Sequence, residues 1–251
     1  MIRHIKLSLL WILSLVIIAA VVQTLPGTIS VSTNVTGTEL PIAGTEHSDQ
    51  KLALTFNAAG SDAGLSRLLQ TLDKHQIHAT FFLTGDWVSR YSNETVLISQ
   101  YGHELGILGD TYLDFTNLEK TSISAQLTAS RDKIANLTGI SPHFFRPPYN
   151  AYNNLVIRTA RDAGYQTISW SVDSMDWKDY GVSAIENKVI HNPDLSGAIL
   201  YFHTDAKYTP EALESLIPLL LENGYSFASL SDLLYEENYH LDTNGRQIPD
   251  E

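Results

Sequence analysis

The feature that most constrains the fold is a regular alternation, from Lys51 onward, of short apolar runs and longer amphipathic stretches. The short runs predict seven strands: Leu52–Phe56, Ala79–Leu83, Glu104–Leu108, His143–Arg146, Gln166–Asp173, Gly197–His203 and Ser226–Leu230. The intervening stretches, such as residues 63–77, 122–139 and 210–224, have the period of about 3.6 residues that is typical of helices. Because neighbouring parallel strands need a crossover connection, this alternation favours a parallel sheet. The pattern predicts an α/β fold, either a (β/α) barrel with one unit missing or an open doubly wound sheet.

The N-terminal segment differs in composition from the rest of the chain. Three basic residues, Arg3, His4 and Lys6, precede nineteen uncharged residues, Leu7–Leu25. A helix of about 20 apolar residues can cross a membrane, and the basic flank predicts that the N-terminus stays inside. We therefore expect residues 1–25 to anchor the protein in the cell membrane with its domain on the extracytoplasmic side. A cleaved signal peptide, giving a secreted protein, is the alternative.

The remaining boundaries follow from composition. Residues 26–50 are rich in Thr, Ser, Gly and Pro and predict a linker, residues 51–235 a folded domain, and residues 236–251 a polar tail outside the core. The formal net charge of −12, without any cluster of Lys and Arg, argues against a nucleic-acid partner. The chain has no cysteine, which excludes disulfides, thiolate nucleophiles and Cys-ligated zinc.

Polar residues follow several of the predicted strands. Asn57 follows the first and Asp110 the third, while Arg146, Asp173 and His203 end the fourth, fifth and sixth. In parallel α/β folds the ligand site lies at the carboxyl ends of the strands. Each residue alone is more typical of a solvated loop or a structural salt bridge. An Arg, an Asp and a His at the same edge favour a functional site.

Seven segments carry a family resemblance. They are ALTF, ATFFLTG, YGHELG, FFRPPYNAYN, SWSVDSMDW, GAILYFH and YSFASLSDLL, in this order. With them, residues 52–234 resemble the polysaccharide deacetylases with NodB homology, carbohydrate esterase family four. The resemblance implies a distorted (β/α) barrel of about seven parallel strands, preceded here by the N-terminal transmembrane or signal helix. It also implies N-acetylated glycan substrates, such as peptidoglycan or chitin oligomers. In that family a divalent metal, usually zinc, is held by one Asp and two His, with an Asp as base and a His as acid.

The resemblance places substitutions at every metal ligand. The catalytic base falls on Asn57, the metal-binding Asp on Ala58, and the two metal-binding His on Leu108 and Tyr112. Zinc needs N, S or carboxylate O donors, and catalytic sites normally supply three from the protein. We therefore expect no zinc or other metal cofactor, and hence no activated water at neutral pH.

Other parts of the family's site are retained. The resemblance implies three catalytic remnants: Arg146 orients the acids, and Asp173 positions the acid His203. It also implies a groove wall with three substrate-binding residues, namely Pro148, Tyr149 and Trp177. A histidine held by a carboxylate is a sensible remnant, because the hydrogen bond fixes the ring tautomer. A general acid alone supplies only part of the required rate acceleration.

Three functions remain open at this point. The leading hypothesis is an envelope protein that no longer performs metal-dependent deacetylation but still binds glycan. A second is an active deacetylase, either metal-independent through His203 and Asp173 or with a metal site rebuilt from nearby residues, namely Asp62, His103, Asp110 and Asp114. The third is a scaffold that docks other envelope proteins.

Overall fold

The computed structural model describes residues 37–46, 49–193 and 195–250, so the predicted anchor at residues 1–25 lies outside the described residues. The strands are β1 (Gly44–Thr45), β2 (Lys51–Ala58), β3 (Thr80–Leu83), β4 (Glu104–Ile107), β5 (Phe144–Phe145), β6 (Gln166–Thr167), β7 (Val172–Asp173), β8 (Ile199–His203), β9 (Ser226–Phe227), β10 (Tyr239–Leu241) and β11 (Arg246–Pro249). The α-helices are α1 (Leu65–Lys74), α2 (Gly85–Arg90), α3 (Ser92–Gln100), α4 (Lys120–Thr138), α5 (Asn154–Asp162), α6 (Val182–Ile190), α7 (Thr209–Glu222) and α8 (Leu230–Leu233). None of these helices is long and apolar enough to cross a membrane.

Seven parallel strands form a curled half-barrel in the order β6-β5-β4-β3-β2-β8-β7, and β9 pairs with the start of β2. The central strand β2 is buried along almost its whole length, as its continuous apolar sequence predicts for a parallel strand covered on both faces. The predicted parallel α/β architecture is confirmed, and the curl favours the incomplete barrel over the flat, doubly wound sheet. The carboxyl ends of β2, β4, β5, β7 and β8 share one edge.

The predicted strand Gln166–Asp173 is divided in two. Its first part, β6, pairs with β5, whereas its second part, β7, pairs with β8 at the opposite end of the sheet. Between them, Ile42 accepts a hydrogen bond from the Ser169 amide (2.7 Å) and donates one to the Thr167 carbonyl (2.8 Å). Ile42 therefore lies in the seam of the half-barrel, beside residues that an apolar run alone predicts as one strand.

The ends of the predicted domain also need correction. The linker predicted at residues 26–50 includes β1, which pairs in parallel with β11, and the tail predicted at residues 236–251 forms the hairpin β10–β11. Gly197 makes the approach of β1 possible, because a Cβ on this residue (φ +70°) would lie 1.7 Å from the Thr45 carbonyl oxygen. Strands of two to four residues with alternating polar side chains give too short a pattern to be recognised from sequence.

If the hairpin belongs to the cooperative fold, Gln247→Ala should lower the free energy of unfolding by about 1–2 kcal/mol. The Gln247 side chain is fully buried, accepts a hydrogen bond from the Tyr235 amide and donates one to the Tyr235 carbonyl, both at 2.9 Å. Urea unfolding measures the loss, with the exposed Gln70 on α1 as the matched control. An effect no larger than that of Gln70→Ala would show that the hairpin unfolds separately.

Candidate functional site

The carboxyl edge of the half-barrel brings together most of the residues that the sequence predicted for the site. Asn57 lies near the end of β2, in register with His203 at the end of β8. Arg146 directly follows β5, and Leu108 directly follows β4. The site is therefore built from the ends of neighbouring parallel strands, as expected for this architecture.

His203 is held by Asp176, which corrects the prediction that Asp173 positions it. The Asp176 carboxylate contacts His203 Nδ1 at 2.8 Å and accepts a hydrogen bond from the His203 amide at 2.7 Å. It also accepts one from the Thr209 hydroxyl at 2.6 Å, and its side chain is fully buried. Asp173 instead accepts a hydrogen bond from the Met175 amide, and burial, with the nearby Asp176 charge, raises the pKa of its carboxyl. Two carboxylates three residues apart are equally plausible in sequence, but only Asp176 reaches the imidazole.

The other nitrogen of His203 is occupied by Tyr201, a residue that the sequence analysis missed. The Tyr201 hydroxyl lies 2.7 Å from His203 Nε2 and accepts a hydrogen bond from the Asn57 side-chain amide at 3.3 Å. With Nδ1–H directed at Asp176, the neutral imidazole presents Nε2 as an acceptor for the Tyr201 hydroxyl. Residues i and i+2 of a strand share a face, which is the signal that could have identified Tyr201.

Tyr201 is fixed in this position by its surroundings. Its ring stacks on Trp170 at a centroid distance of 4.0 Å and an interplanar angle of 12°, and its hydroxyl also interacts with Tyr112. Burial, together with Tyr112, raises the pKa of the Tyr201 phenol, so the hydroxyl remains neutral and retains its proton. A general acid must present a proton to the leaving group. Here His203 Nε2 faces the Tyr201 hydroxyl instead of a substrate.

The three positions to which the resemblance assigns the family's metal ligands, Ala58, Leu108 and Tyr112, carry packed side chains. Ala58 and Leu108 have no exposed surface, and Tyr112 packs edge-to-face on Tyr149 with their ring centroids 4.7 Å apart. Neither Ala58 nor Leu108 carries a side-chain lone pair, so the three positions do not fit a zinc ion. The positions that the resemblance assigns to the zinc ligands are therefore present, but two of them carry no atom that can bind zinc.

Three of the four residues considered for a rebuilt metal site, all except Asp62, have other side-chain contacts. Asp110 forms an ion pair with Lys133 (2.6 Å), and Asp114 accepts a hydrogen bond from the Thr116 amide (2.9 Å). His103 is buried against Phe81, and burial lowers its pKa to about 4. Across residues 37–46, 49–193 and 195–250, no three His, Cys, Asp or Glu side chains are grouped so that they could hold a metal ion.

Arg146 is a buried cation without an anionic partner in the described chain. Its side chain is fully buried and donates hydrogen bonds to the Asn57 amide oxygen (3.1 Å), the Thr55 hydroxyl (2.9 Å) and a backbone carbonyl. The guanidinium carbon also lies 4.1 Å from the ring centroid of Phe82. Burial lowers the pKa of Arg146 to about 9, which still leaves it protonated at neutral pH. The Asn57 amide thus accepts a hydrogen bond from the Arg146 guanidinium but does not neutralise its charge.

Three exposed aromatic side chains lie in the segments that follow β5 and β7, which also carry Arg146 and Asp176. Tyr149, Trp177 and Tyr180 are 66%, 54% and 74% exposed. Tyr149 and the following Asn150 both adopt left-handed backbone conformations, with φ of 59° and 53°, which are unfavourable for residues other than glycine and often occur at ligand sites. The third residue predicted to bind substrate, Pro148, is buried and supports this turn from below. Substrate binding by Tyr149 and Trp177 stays a prediction, to which the structure adds Tyr180.

A curled half-barrel with a histidine–carboxylate pair and a buried arginine at its carboxyl edge defines a scaffold of the polysaccharide deacetylase type. The family model described as polysaccharide deacetylase matches residues 44–168. A peptidoglycan-N-acetylglucosamine deacetylase of Bacillus cereus is 31% identical over 193 residues, covering 75% of this chain and 90% of that protein. The chain belongs to the polysaccharide deacetylase family.

Two other relatives bear on the state of the site. A pseudoenzyme of carbohydrate esterase family 4 from Bacillus anthracis has a solved structure with a TM-score of 0.75 and 31% identity, covering 78% of this chain and 69% of that one. A mutant of that pseudoenzyme is described as having restored enzymatic activity. The uncharacterized protein YlxY of Bacillus subtilis is 33% identical over 189 residues, which cover 74% of this chain but only 57% of YlxY.

Proposed function

We propose that this protein is a catalytically silent polysaccharide deacetylase homologue of the cell envelope that binds N-acetylated glycan at the old active-site groove. The observation that carries the proposal is the contact of Tyr201 with His203 Nε2 at 2.7 Å. Because of this contact, His203 Nε2 does not present a proton to a substrate, and Asn57 lacks the basicity of a carboxylate. Neither the metal-dependent reaction nor a metal-independent one through His203 then has the groups it needs.

Glycan binding is supported by the groove's surface. Tyr149, Trp177 and Tyr180 present large apolar ring faces to solvent beside polar loops, and exposed aromatic groups of this kind are typical of binding sites. The curated relatives named above include a deacetylase of peptidoglycan, an N-acetylated glycan. An envelope location is supported by the uncharged segment Leu7–Leu25 and its basic flank.

Three measurements on the purified full chain test this proposal. We expect zinc far below one equivalent per chain, and no acetate release from peptidoglycan or from chitin oligomers above a protein-free blank. Calorimetry should nevertheless detect binding of tetra-N-acetylchitotetraose. Stoichiometric zinc together with acetate release would overturn the proposal, and so would the absence of binding to every glycan.

A matched pair of variants tests where the glycan binds. Trp177→Ala should weaken binding of the chitin tetramer about tenfold, since stacked aromatic residues are frequent energetic centres of binding sites. Leu137→Ala, at an exposed apolar position on α4, serves as the control and should leave binding unchanged. Equal effects of the two substitutions would place the glycan outside the groove.

A further inference from the structure

A second cavity lies beside the groove, between residues 174–180 and helix α6. Its volume is about 200 Å³, and it is lined by Ser174, Met175, Lys178, Tyr180, Ala184, Ile185 and Lys188. The walls are largely apolar, and the charged groups that line it are the two lysines. A ligand that fills this cavity would therefore combine a small apolar group with a negative charge.

The two lysines are available for such a ligand. Within the described residues, no carboxylate lies within 4 Å of the ammonium group of Lys178 or Lys188, although Asp173 interacts with Lys188 at longer range. The Lys178 ammonium group lies 4.9 Å from the ring centroid of Trp177 and 5.9 Å from that of Tyr180, so it is close to both exposed rings. In a chain of net charge −12, two unpaired cations at one cavity are a specific feature.

The cavity is continuous with neighbouring surface features. A second depression, lined by Ala184, Asn187, Lys188, His191 and Asn192, shares Lys188 with the first. Both lie along α6, so an extended ligand can occupy them in succession. Asn187, His191 and Asn192 provide polar side chains on that path.

Residues 174–180, which lie on one side of the cavity, also adjoin the proposed glycan groove. Asp176, which holds His203, lies between Met175, which lines the cavity, and the exposed Trp177, which is proposed above to bind the glycan. Met175 and Asp179 both have left-handed backbone conformations, with φ of 56° and 53°. Such conformations cost free energy and are concentrated at ligand sites, and here they place Lys178 and Tyr180 at the cavity while Asp176 faces inward.

We infer that this cavity is a subsite for a carboxylate-bearing substituent, so that the glycan recognised is an acidic one. Peptidoglycan strands without their stem peptides fit this chemistry, because every second sugar then carries a lactyl ether with one methyl and one free carboxylate. The methyl packs on Met175 and Ile185, while Lys178 and Lys188 bind the carboxylate. Chitin, a neutral polymer, leaves the two lysines unpaired. This inference rests on the glycan binding proposed above and specifies the class of glycan.

The test compares three tetrasaccharides by calorimetry with the full chain in detergent: tetra-N-acetylchitotetraose, a peptide-free peptidoglycan tetrasaccharide, and the same peptidoglycan tetrasaccharide with its carboxylates amidated. We expect the acidic tetrasaccharide to bind about fivefold to tenfold more tightly than the neutral one, as two exposed ion pairs allow. Amidation should remove this preference. Raising the salt from about 0.05 M to about 1 M should reduce it, because exposed charges are screened.

The double variant Lys178→Gln/Lys188→Gln should lose the preference and still bind the neutral tetramer. Lys74→Gln is the matched control, because Lys74 is exposed at the end of α1, which leads back to the opposite edge of the sheet. Both variants should unfold at the midpoint of the wild type. Equal affinity of the wild type for acidic and neutral glycan, or a preference that survives the double substitution, overturns the subsite and leaves glycan binding intact. If the wild type binds none of the three, glycan binding itself fails, and the subsite with it.

Discussion

Replacing Asp176 by alanine is expected to lower the free energy of unfolding by about 4 kcal/mol. The carboxylate is fully buried and accepts hydrogen bonds from the His203 amide and the Thr209 hydroxyl, besides its contact with His203 Nδ1. Alanine leaves these donors buried without an acceptor, and each unsatisfied group costs about 1–3 kcal/mol. Urea unfolding at neutral pH, followed by circular dichroism, measures the change.

Asp173→Ala is the matched control, because it removes the other carboxylate of the same loop. Asp173 is partly exposed and receives one hydrogen bond, from the Met175 amide. We expect a loss below about 1 kcal/mol. If Asp173→Ala costs as much as Asp176→Ala, the assignment of the His203 partner to Asp176 is incorrect. The comparison thus decides between the carboxylate that the sequence suggested and the one that the structure places at the imidazole.

The long elements of the fold follow directly from the sequence. Strands β2, β3 and β8 are almost completely buried, so their sequences are continuous apolar runs. The hairpin β10–β11 and the seam at Ile42 did not follow, because their strands are short and depend on partners far along the chain. Long-range pairing of this kind is set by tertiary packing, and local patterns carry little of it.

The sequence predicted which edge of the sheet carries the site, but it did not predict the contacts between the site residues. Strand ends placed Asn57, Arg146 and His203 together, because parallel strands share a carboxyl edge. The sequence could not choose between Asp173 and Asp176, since loop geometry decides which carboxylate turns inward. The spacing of Tyr201 and His203 puts both side chains on one face of the strand, but it does not show that the hydroxyl contacts His203 Nε2. A tyrosine within an apolar strand looks like core until its neighbours are known.

The contacts of the retained site residues also have a structural role. The hydrogen bonds that Arg146 and Tyr201 donate and that Asp176 accepts link the ends of β2, β5 and β8 with the loop after β7, so these residues stabilise the edge of the half-barrel. The buried charge of Arg146, in contrast to these hydrogen bonds, is unfavourable for stability. Lowering its pKa from 12.5 to about 9 by burial corresponds to about 5 kcal/mol against the charged form. The absence of a carboxylate beside Arg146 in the described residues thus leaves an unfavourable buried charge that a substitution at position 57 could neutralise.

Asn57→Asp is therefore expected to raise the free energy of unfolding by about 3 kcal/mol at pH 7. The Asn57 amide oxygen lies 3.1 Å from a terminal nitrogen of Arg146, so an aspartate of the same shape forms a buried ion pair without repacking. Removing one partner of a buried pair typically costs about 3–5 kcal/mol, and supplying the missing partner should recover a similar amount. Scanning calorimetry should show the unfolding midpoint rising by about 6–12 °C.

Asn57→Leu is the control for this substitution, since it keeps the number and branching of the side-chain heavy atoms and removes the hydrogen-bond acceptor. It should lower the free energy of unfolding by about 2 kcal/mol, because the buried guanidinium loses a partner. In a double-mutant cycle, Asn57→Asp combined with Arg146→Met should lose the gain entirely, because the new carboxylate is then itself buried and unpaired. A neutral or destabilising Asn57→Asp would mean that the charge of Arg146 is already compensated. Since Ala58 and Leu108 still provide no metal ligand, the stabilised variant should release no acetate. This result would separate the stability of the edge from catalysis.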